Sequence, residues 1–213
     1  WLVDVYKRQV WGVTEFIKET TRHFAAQGYA AIAPDLYSRL TNPDVSTLET
    51  ARKAIGTLSD AQVMQDLQGA AQHLRDLPGF NGRIGVIGFC AGGRYTIIFG
   101  VQGKGVDAAI TCYGPMTPND IAGPDMRPVA PIDMASEIQC PLLGLYGEND
   151  KLPLPDDVAA FDEILTSAKK HHEFHMYPGV GHAFMNREGS GYSEEQASAA
   201  WKESDAWFEK YLK

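Results

Sequence analysis

The stretch Arg83-Ile84-Gly85-Val86-Ile87-Gly88-Phe89-Cys90-Ala91-Gly92-Gly93-Arg94 carries the decisive signal in this chain. Its first half is a short apolar run bounded by glycines, which reads as a buried strand, and the segment that follows reads as a helix. Strand, tight turn and helix are the setting in which G-x-S-x-G becomes a nucleophile elbow, here with Cys90 where serine usually stands. A strained turn leaves no room for side chains beside the nucleophile, so Gly88 and Gly92 suit their positions. The turn also aims the thiol at a helix N-terminus, whose dipole favours a thiolate. Taken alone, the stretch leaves a second reading open. Free cysteine is often a buried apolar residue, and glycine-rich turns occur in α/β proteins without catalysis.

On either side, strand-like and helix-like segments alternate. Residues 1–6 read as a strand. The spacing of Val13, Phe16, Ile17, Thr20 and Phe24 predicts one helical face, with Gly28 as the stop. Residues 29–33 read as a strand closed by Pro34-Asp35, and 38–58 as a long polar connection with room for a short helix. Asp60 is expected to cap an amphipathic helix through Val63, Leu67, Ala71 and Leu74. Beyond the elbow, residues 106–113, 142–146 and 172–177 read as strands and 155–167 as a helix. Ser193-Glu194-Glu195-Gln196 reads as a capping box opening a last helix, with Ala197, Trp201, Trp207 and Phe208 inward. Such alternation implies a mostly parallel sheet with helices on both faces, in a single domain over residues 1–213. Function then gathers in the loops after the carboxyl ends of strands, where Arg39, Cys90, Asp150 and His182 all fall.

Composition narrows the function classes. The chain has 213 residues, 44% of them hydrophobic, enough for one sizeable core. Its net charge is −8, from 27 acidic against 19 basic residues, and no Lys/Arg run offers a stripe for nucleic acid. No apolar stretch approaches the length of a membrane span. Three widely spaced cysteines, Cys90, Cys112 and Cys140, argue against a disulfide framework and suit a reducing, cytoplasmic compartment. The run His171-His172-Glu173-Phe174-His175 invites a metal reading. On a strand, however, His171 and His175 sit too far apart for one ion, and HExxH spacing is absent, so no metal is expected.

A thiol nucleophile needs a base, and the base needs an orienting group. Gly147-Glu148-Asn149-Asp150 follows one strand and supplies an acid, with Glu148 as a rival to Asp150. Gly179-Val180-Gly181-His182-Ala183-Phe184 follows the last strand and supplies an imidazole. The chain order Cys90, Asp150, His182 is the nucleophile–acid–histidine order of α/β-hydrolases. Each residue alone has an ordinary loop role open to it. Together, at strand ends and in this order, they point to a triad.

With these residues in view, the sequence resembles the dienelactone hydrolase (carboxymethylenebutenolidase) family of the α/β-hydrolase superfamily. The segments that carry the resemblance are Trp11-Gly12-Val13, the run from Gln27 through Pro34-Asp35-Leu36-Tyr37-Ser38-Arg39, the elbow, Gly147-Glu148-Asn149-Asp150 and Gly181-His182-Ala183-Phe184. It implies Cys90 as nucleophile, His182 as base and Asp150 as orienter, with an oxyanion hole from the backbone N–H groups of Ala91 and Val10. It also implies that Arg39 and, one position later than the family pattern, Arg187 hold a substrate carboxylate. The family carries a glutamate where Gln9 stands here, and strands ahead of that point. The chain is accordingly expected to be an N-terminally incomplete copy whose first nine residues are not native family sequence. The activity this implies is hydrolysis of an enol-lactone or activated ester through an acyl-cysteine, by a monomer without cofactors. A broad carboxylesterase or thioesterase, an inactive homologue that binds small carboxylates, and a redox-responsive thiol protein are the alternatives.

Overall fold

A computed structural model describes the backbone of residues 2–5 and the whole of residues 11–118 and 121–213. Among the described residues, six strands form one parallel sheet: β1 (Leu2–Val5), β2 (Ala30–Ile32), β3 (Gly85–Phe89), β4 (Ala108–Cys112), β5 (Leu142–Gly147) and β6 (His172–Tyr177). Their order across the sheet is β2-β1-β3-β4-β5-β6. β1 lies between β2 and β3, with Val3 opposite Ala31 on one side and Gly85 on the other.

The central strands are buried on both faces, which is why β3, β4 and β5 read as unbroken apolar runs. Their side chains alternate between two cores. Val86, Ala109, Leu142 and Tyr146 face one core, built with α2 (Leu48–Gly56), α3 (Asp60–Arg75), α4 (Ala91–Gln102) and α5 (Pro155–Ser167). Ile87, Phe89, Ile110, Cys112, Leu143 and Leu145 face the other, built with α1 (Glu15–Ala26) and α6 (Glu194–Leu212). This period-two division produces the expected α/β-hydrolase architecture, with helices on both faces.

The sequence-predicted elements recur with small shifts at their ends. Gly28, at φ 92°, ends the α1 region as expected, since a side chain there would be strained. The start of α1 is less local. Thr14 makes no side-chain cap, and the carboxylate of Glu188 accepts the Phe16 N–H at 3.2 Å from 172 residues away. The start of α3 differs from expectation. Ser59, not Asp60, is the cap and accepts the Gln62 N–H at 3.2 Å. Asp60 turns inward and is 7% exposed, because a buried Arg94 on α4 requires its carboxylate. Cys112 and Cys140 are core residues, and among the methionines of the long loop Met116 and Met134 are core as well. Among the described residues, no helix is long and apolar enough to cross a membrane.

Candidate active site

Cys90 sits between β3 and α4 at φ 55°, ψ −120°, a conformation that costs a non-glycine residue of order 1–3 kcal/mol. Three contacts hold it there. The Cys90 N–H donates to the Cys112 carbonyl at 3.0 Å, and the Cys90 carbonyl accepts the Arg94 N–H at 3.1 Å. A Cβ on Gly88 would lie 2.2 Å from the Gly92 carbonyl oxygen, so only glycine lets the strand and helix meet this closely. Below the turn, Phe89 packs edge-on to Phe16 of α1, with ring centroids 5.0 Å apart. The first N–H groups of α4 have no acceptor inside the helix, and Ala91, which carries one of them, lines the same cavity as Cys90.

Asp150 and His182 follow β5 and β6. Asp150 is 1% exposed, and its carboxylate accepts the His182 Nδ1–H at 3.0 and 3.2 Å and the Leu152 N–H at 2.9 Å. Glu148, the rival acid, is exposed and accepts the Gly179 N–H at 3.3 Å, so it braces the loop before His182. With Nδ1 turned to Asp150, the other ring nitrogen, Nε2, is left for the cavity that His182 and Cys90 line together. The structure therefore brings Cys90, His182 and Asp150 together. Burial pulls the imidazole pKa down, but the hydrogen bonds to Asp150 and Cys90 and their negative charge outweigh it, raising the value to about 10.

Two features here escape sequence reading. Tyr113, fully buried at the end of β4 and held at φ 40°, packs its ring against the His182 ring with centroids 5.1 Å apart. Only the position of Tyr113 at a strand end hinted at this. The second is the ion pair beneath the elbow helix, where Arg94 Nη2 lies 2.8 Å from Asp60 Oδ2 and a second contact joins Nη1 to Oδ1.

A cavity of about 300 Å³ opens over Cys90 and His182, walled by apolar groups of Trp11, Leu48, Pro115, Ile121 and Leu152. Neither arginine expected at a substrate carboxylate lines it. Arg39 is mostly solvent-exposed and pairs with Asp66 at 2.6 Å. Arg187 is exposed and lines a separate cavity with Glu19, Tyr192 and Trp201, between α1 and α6. Val10 and Gln9 lie outside the described residues. In the histidine-rich run, His171, just before β6, stacks on Trp207 at 5.9 Å and His175 is hydrogen bonded to Glu173 at 2.8 Å. The metal-capable atoms of Glu173, His175 and Glu203 come within 4.8 Å of one another on that side of the sheet, and none of the three lines the Cys90 cavity.

Comparison with known proteins identifies the family. The model of the dienelactone hydrolase family matches residues 3–212. A relative from Methylorubrum extorquens that carries the provisional name carboxymethylenebutenolidase is 34% identical over 209 residues, covering 96% of this chain and 70% of its own. An Escherichia coli protein with the same provisional name is 32% identical, covering 98% of this chain and 77% of its own. A crystal structure from Klebsiella pneumoniae, provisionally titled a dienelactone hydrolase, superposes with a TM-score of 0.88 at 32% identity, over 98% of this chain and 87% of that one. A match over nearly the whole chain, on an α/β-hydrolase sheet with its elbow at Cys90, means that this chain belongs to the dienelactone hydrolase family.

Proposed function

We propose that this protein hydrolyses enol-lactones or comparably activated carboxylic esters through an acyl-Cys90 intermediate. The coarse reaction, hydrolysis of a lactone or carboxylic ester, follows from the family. The finer reading rests on one observation: Cys90 and His182 line one largely apolar cavity, with His182 held through Nδ1 by the buried carboxylate of Asp150.

The raised pKa of His182 means that the imidazole rests protonated at neutral pH; the thiolate is the form of Cys90 that attacks. Sulfur attacks the substrate carbonyl carbon, and the C=O electron pair moves onto oxygen. The Ala91 N–H and, by the family resemblance, the Val10 N–H stabilise that oxyanion; one such donor is worth roughly 3–4 kcal/mol. Re-forming the C=O breaks the bond to the enol oxygen, which takes the proton from His182 Nε2. The neutral imidazole then removes a proton from water as it attacks the thioester. Collapse expels the Cys90 thiolate and leaves the imidazole protonated again. Asp150 holds the ring tautomer throughout and stabilises its positive charge. An enol leaving group is acidic enough to depart with little help, which suits a thiolate nucleophile.

A wider carboxylesterase is the second reading. The engagement of Arg39 with Asp66 favours it, since the arginine expected to select a lactone carboxylate is occupied elsewhere. The test is turnover of a dienelactone beside a simple aryl acetate, by this chain and by Cys90→Ala. Turnover lost in the variant, with an acyl adduct on the Cys90 peptide after acid quench, supports the thiol mechanism. Turnover that survives Cys90→Ala rules it out. The ratio of the two substrates decides between the readings.

A further inference from the structure

We infer that Glu173, His175 and Glu203 form a site for one divalent transition-metal ion, zinc foremost, which ties the last strand to the last helix. The site is separate from the Cys90 cavity, which none of the three residues lines. Period-two alternation along β6 sets up the first half of it. Phe174 packs into the core shared with α5 and Tyr177 into the core shared with α6, so Glu173, His175 and Tyr177 share the α6 side of the strand. α6 runs back along that side. His171, just before β6, meets Trp207 and Tyr211, with ring centroids 5.9 and 5.7 Å apart, while His175 meets Glu203, one helical turn before Trp207. The two histidines of one sequence run are thereby sorted. His171 is engaged with aromatic side chains, and His175 is left among carboxylates from two elements.

The ligand atoms of the three residues all lie within 4.8 Å of one another, and a Glu173 carboxylate oxygen stands 2.8 Å from His175 Nε2. Atoms held by one zinc at about 2.0–2.2 Å sit roughly 3.3–3.5 Å apart in a tetrahedron. Closing the set therefore takes side-chain shifts of about 1 Å, within reach of one exposed and two half-buried side chains without backbone movement. The charge of the set is unbalanced. Among the described residues Glu173 pairs with His175 alone, and no ion pair reaches Glu203. Behind them Tyr177 stacks on His175 with centroids 6.3 Å apart. Its hydroxyl is buried without a hydrogen-bond partner, and burial, with the charge of Glu203 adding to it, pushes the phenol pKa up. Glu203 thus holds its charge against a poorly solvated wall, where a cation is attracted more strongly than at an open surface. One imidazole with two carboxylates suits zinc and its transition-metal neighbours, whereas magnesium and calcium take oxygen ligands in larger number. Three protein ligands leave a position open to water. An ion here holds α6, whose Trp207, Phe208 and Leu212 close the second core, against β6, so its effect is on stability.

The test is run in a Cys90→Ala background, because Cys90 and His182 are themselves able to ligate zinc. Calorimetric titration with zinc chloride gives the stoichiometry and Kd, cobalt(II) absorption gives the geometry, and melting curves give the stabilisation. The expected result is one equivalent of zinc, visible cobalt bands of a tetrahedral site, and full reversal by EDTA. The melting midpoint should rise by roughly 5–10 °C when free zinc stands about a hundredfold above Kd. Added His175→Ala or Glu203→Gln should each weaken zinc binding roughly tenfold or more, while His171→Ala leaves it unchanged. Magnesium at the same concentration should give no shift. Circular dichroism without metal verifies that each variant folds; should either fail, Glu173→Gln, at an exposed position, takes its place with the same expected loss. No stoichiometric zinc binding, or binding that survives His175→Ala, overturns the inference. Binding untouched by Glu203→Gln overturns the tie between strand and helix.

Discussion

The imidazole of His182 meets the carboxylate of Asp150 at both oxygens, 3.0 Å from Oδ2 and 3.2 Å from Oδ1, on an aspartate almost wholly shut off from solvent. A buried carboxylate with two such contacts fixes which ring nitrogen carries its proton toward it, and so which nitrogen faces Cys90. Asp150→Asn should preserve the bond to the Leu152 N–H and hence the fold, yet lower kcat roughly 10²- to 10⁴-fold. Glu148→Gln, which changes the brace on Gly179, should leave kcat within about twofold. Steady-state kinetics on an aryl acetate, with circular dichroism to verify folding, checks both. Equal losses in the two variants would remove Asp150 from its special role.

The proton on His182 links stability to pH. Its folded pKa of about 10 stands above the ordinary value of 6.5, so the folded state binds the proton more tightly than the unfolded one. The stabilisation is fully present below about pH 6.5 and is lost as pH rises through about 10. Midpoints of urea unfolding should therefore fall between pH 7 and pH 10, and the fall should be shallower in Asp150→Asn. The alkaline limb of kcat/KM should lie near pH 10, where the imidazolium is lost. A limb near pH 7 would contradict the raised pKa of His182.

Thiol accessibility gives a third expectation. Cys90 is partly exposed, whereas Cys112 and Cys140 are buried, and burial pushes the Cys140 thiol up to about 12. Iodoacetamide at neutral pH should label one thiol fast in the folded chain and none fast in Cys90→Ala. Peptide mapping by mass spectrometry identifies the site. Rapid labelling of Cys112 or Cys140 would show that the core opens on that timescale.

The pair beneath the elbow should matter for stability. Arg94 and Asp60 are both buried and joined by two contacts, so Asp60→Ala leaves a guanidinium without its counter-charge. A loss of about 3–5 kcal/mol in unfolding free energy is expected. Asp60→Leu combined with Arg94→Met, which removes both charges, should recover most of it. Denaturant titration of the three chains measures the difference, and a double variant no better than the single would argue against the pair as the cause.

Much of this protein is legible in its sequence. β3, β4 and β5 announce themselves because a strand buried on both faces is apolar at nearly every position, Thr111 excepted, a property that needs no knowledge of its neighbours. α1 and α6 are legible for the complementary reason, one apolar face at helical spacing. Cys90, Asp150 and His182 could be named because each stands at a strand end, and the order of strands along the chain decides which loops gather at one edge.

What the sequence left open concerns contacts between elements far apart in the chain. Asp60 has the composition of a cap and sits where a cap belongs, but a buried arginine 34 residues on claims it, and Ser59 takes the cap. Arg39 stands in a family motif, yet its side chain finds Asp66 on the neighbouring helix. Periodicity and turn chemistry are properties of a few adjacent residues, so the sequence by itself determined the strands, the helices and the residues at the strand ends. Which charges pair depends on where long side chains meet across helices and loops, and only the tertiary structure decided that.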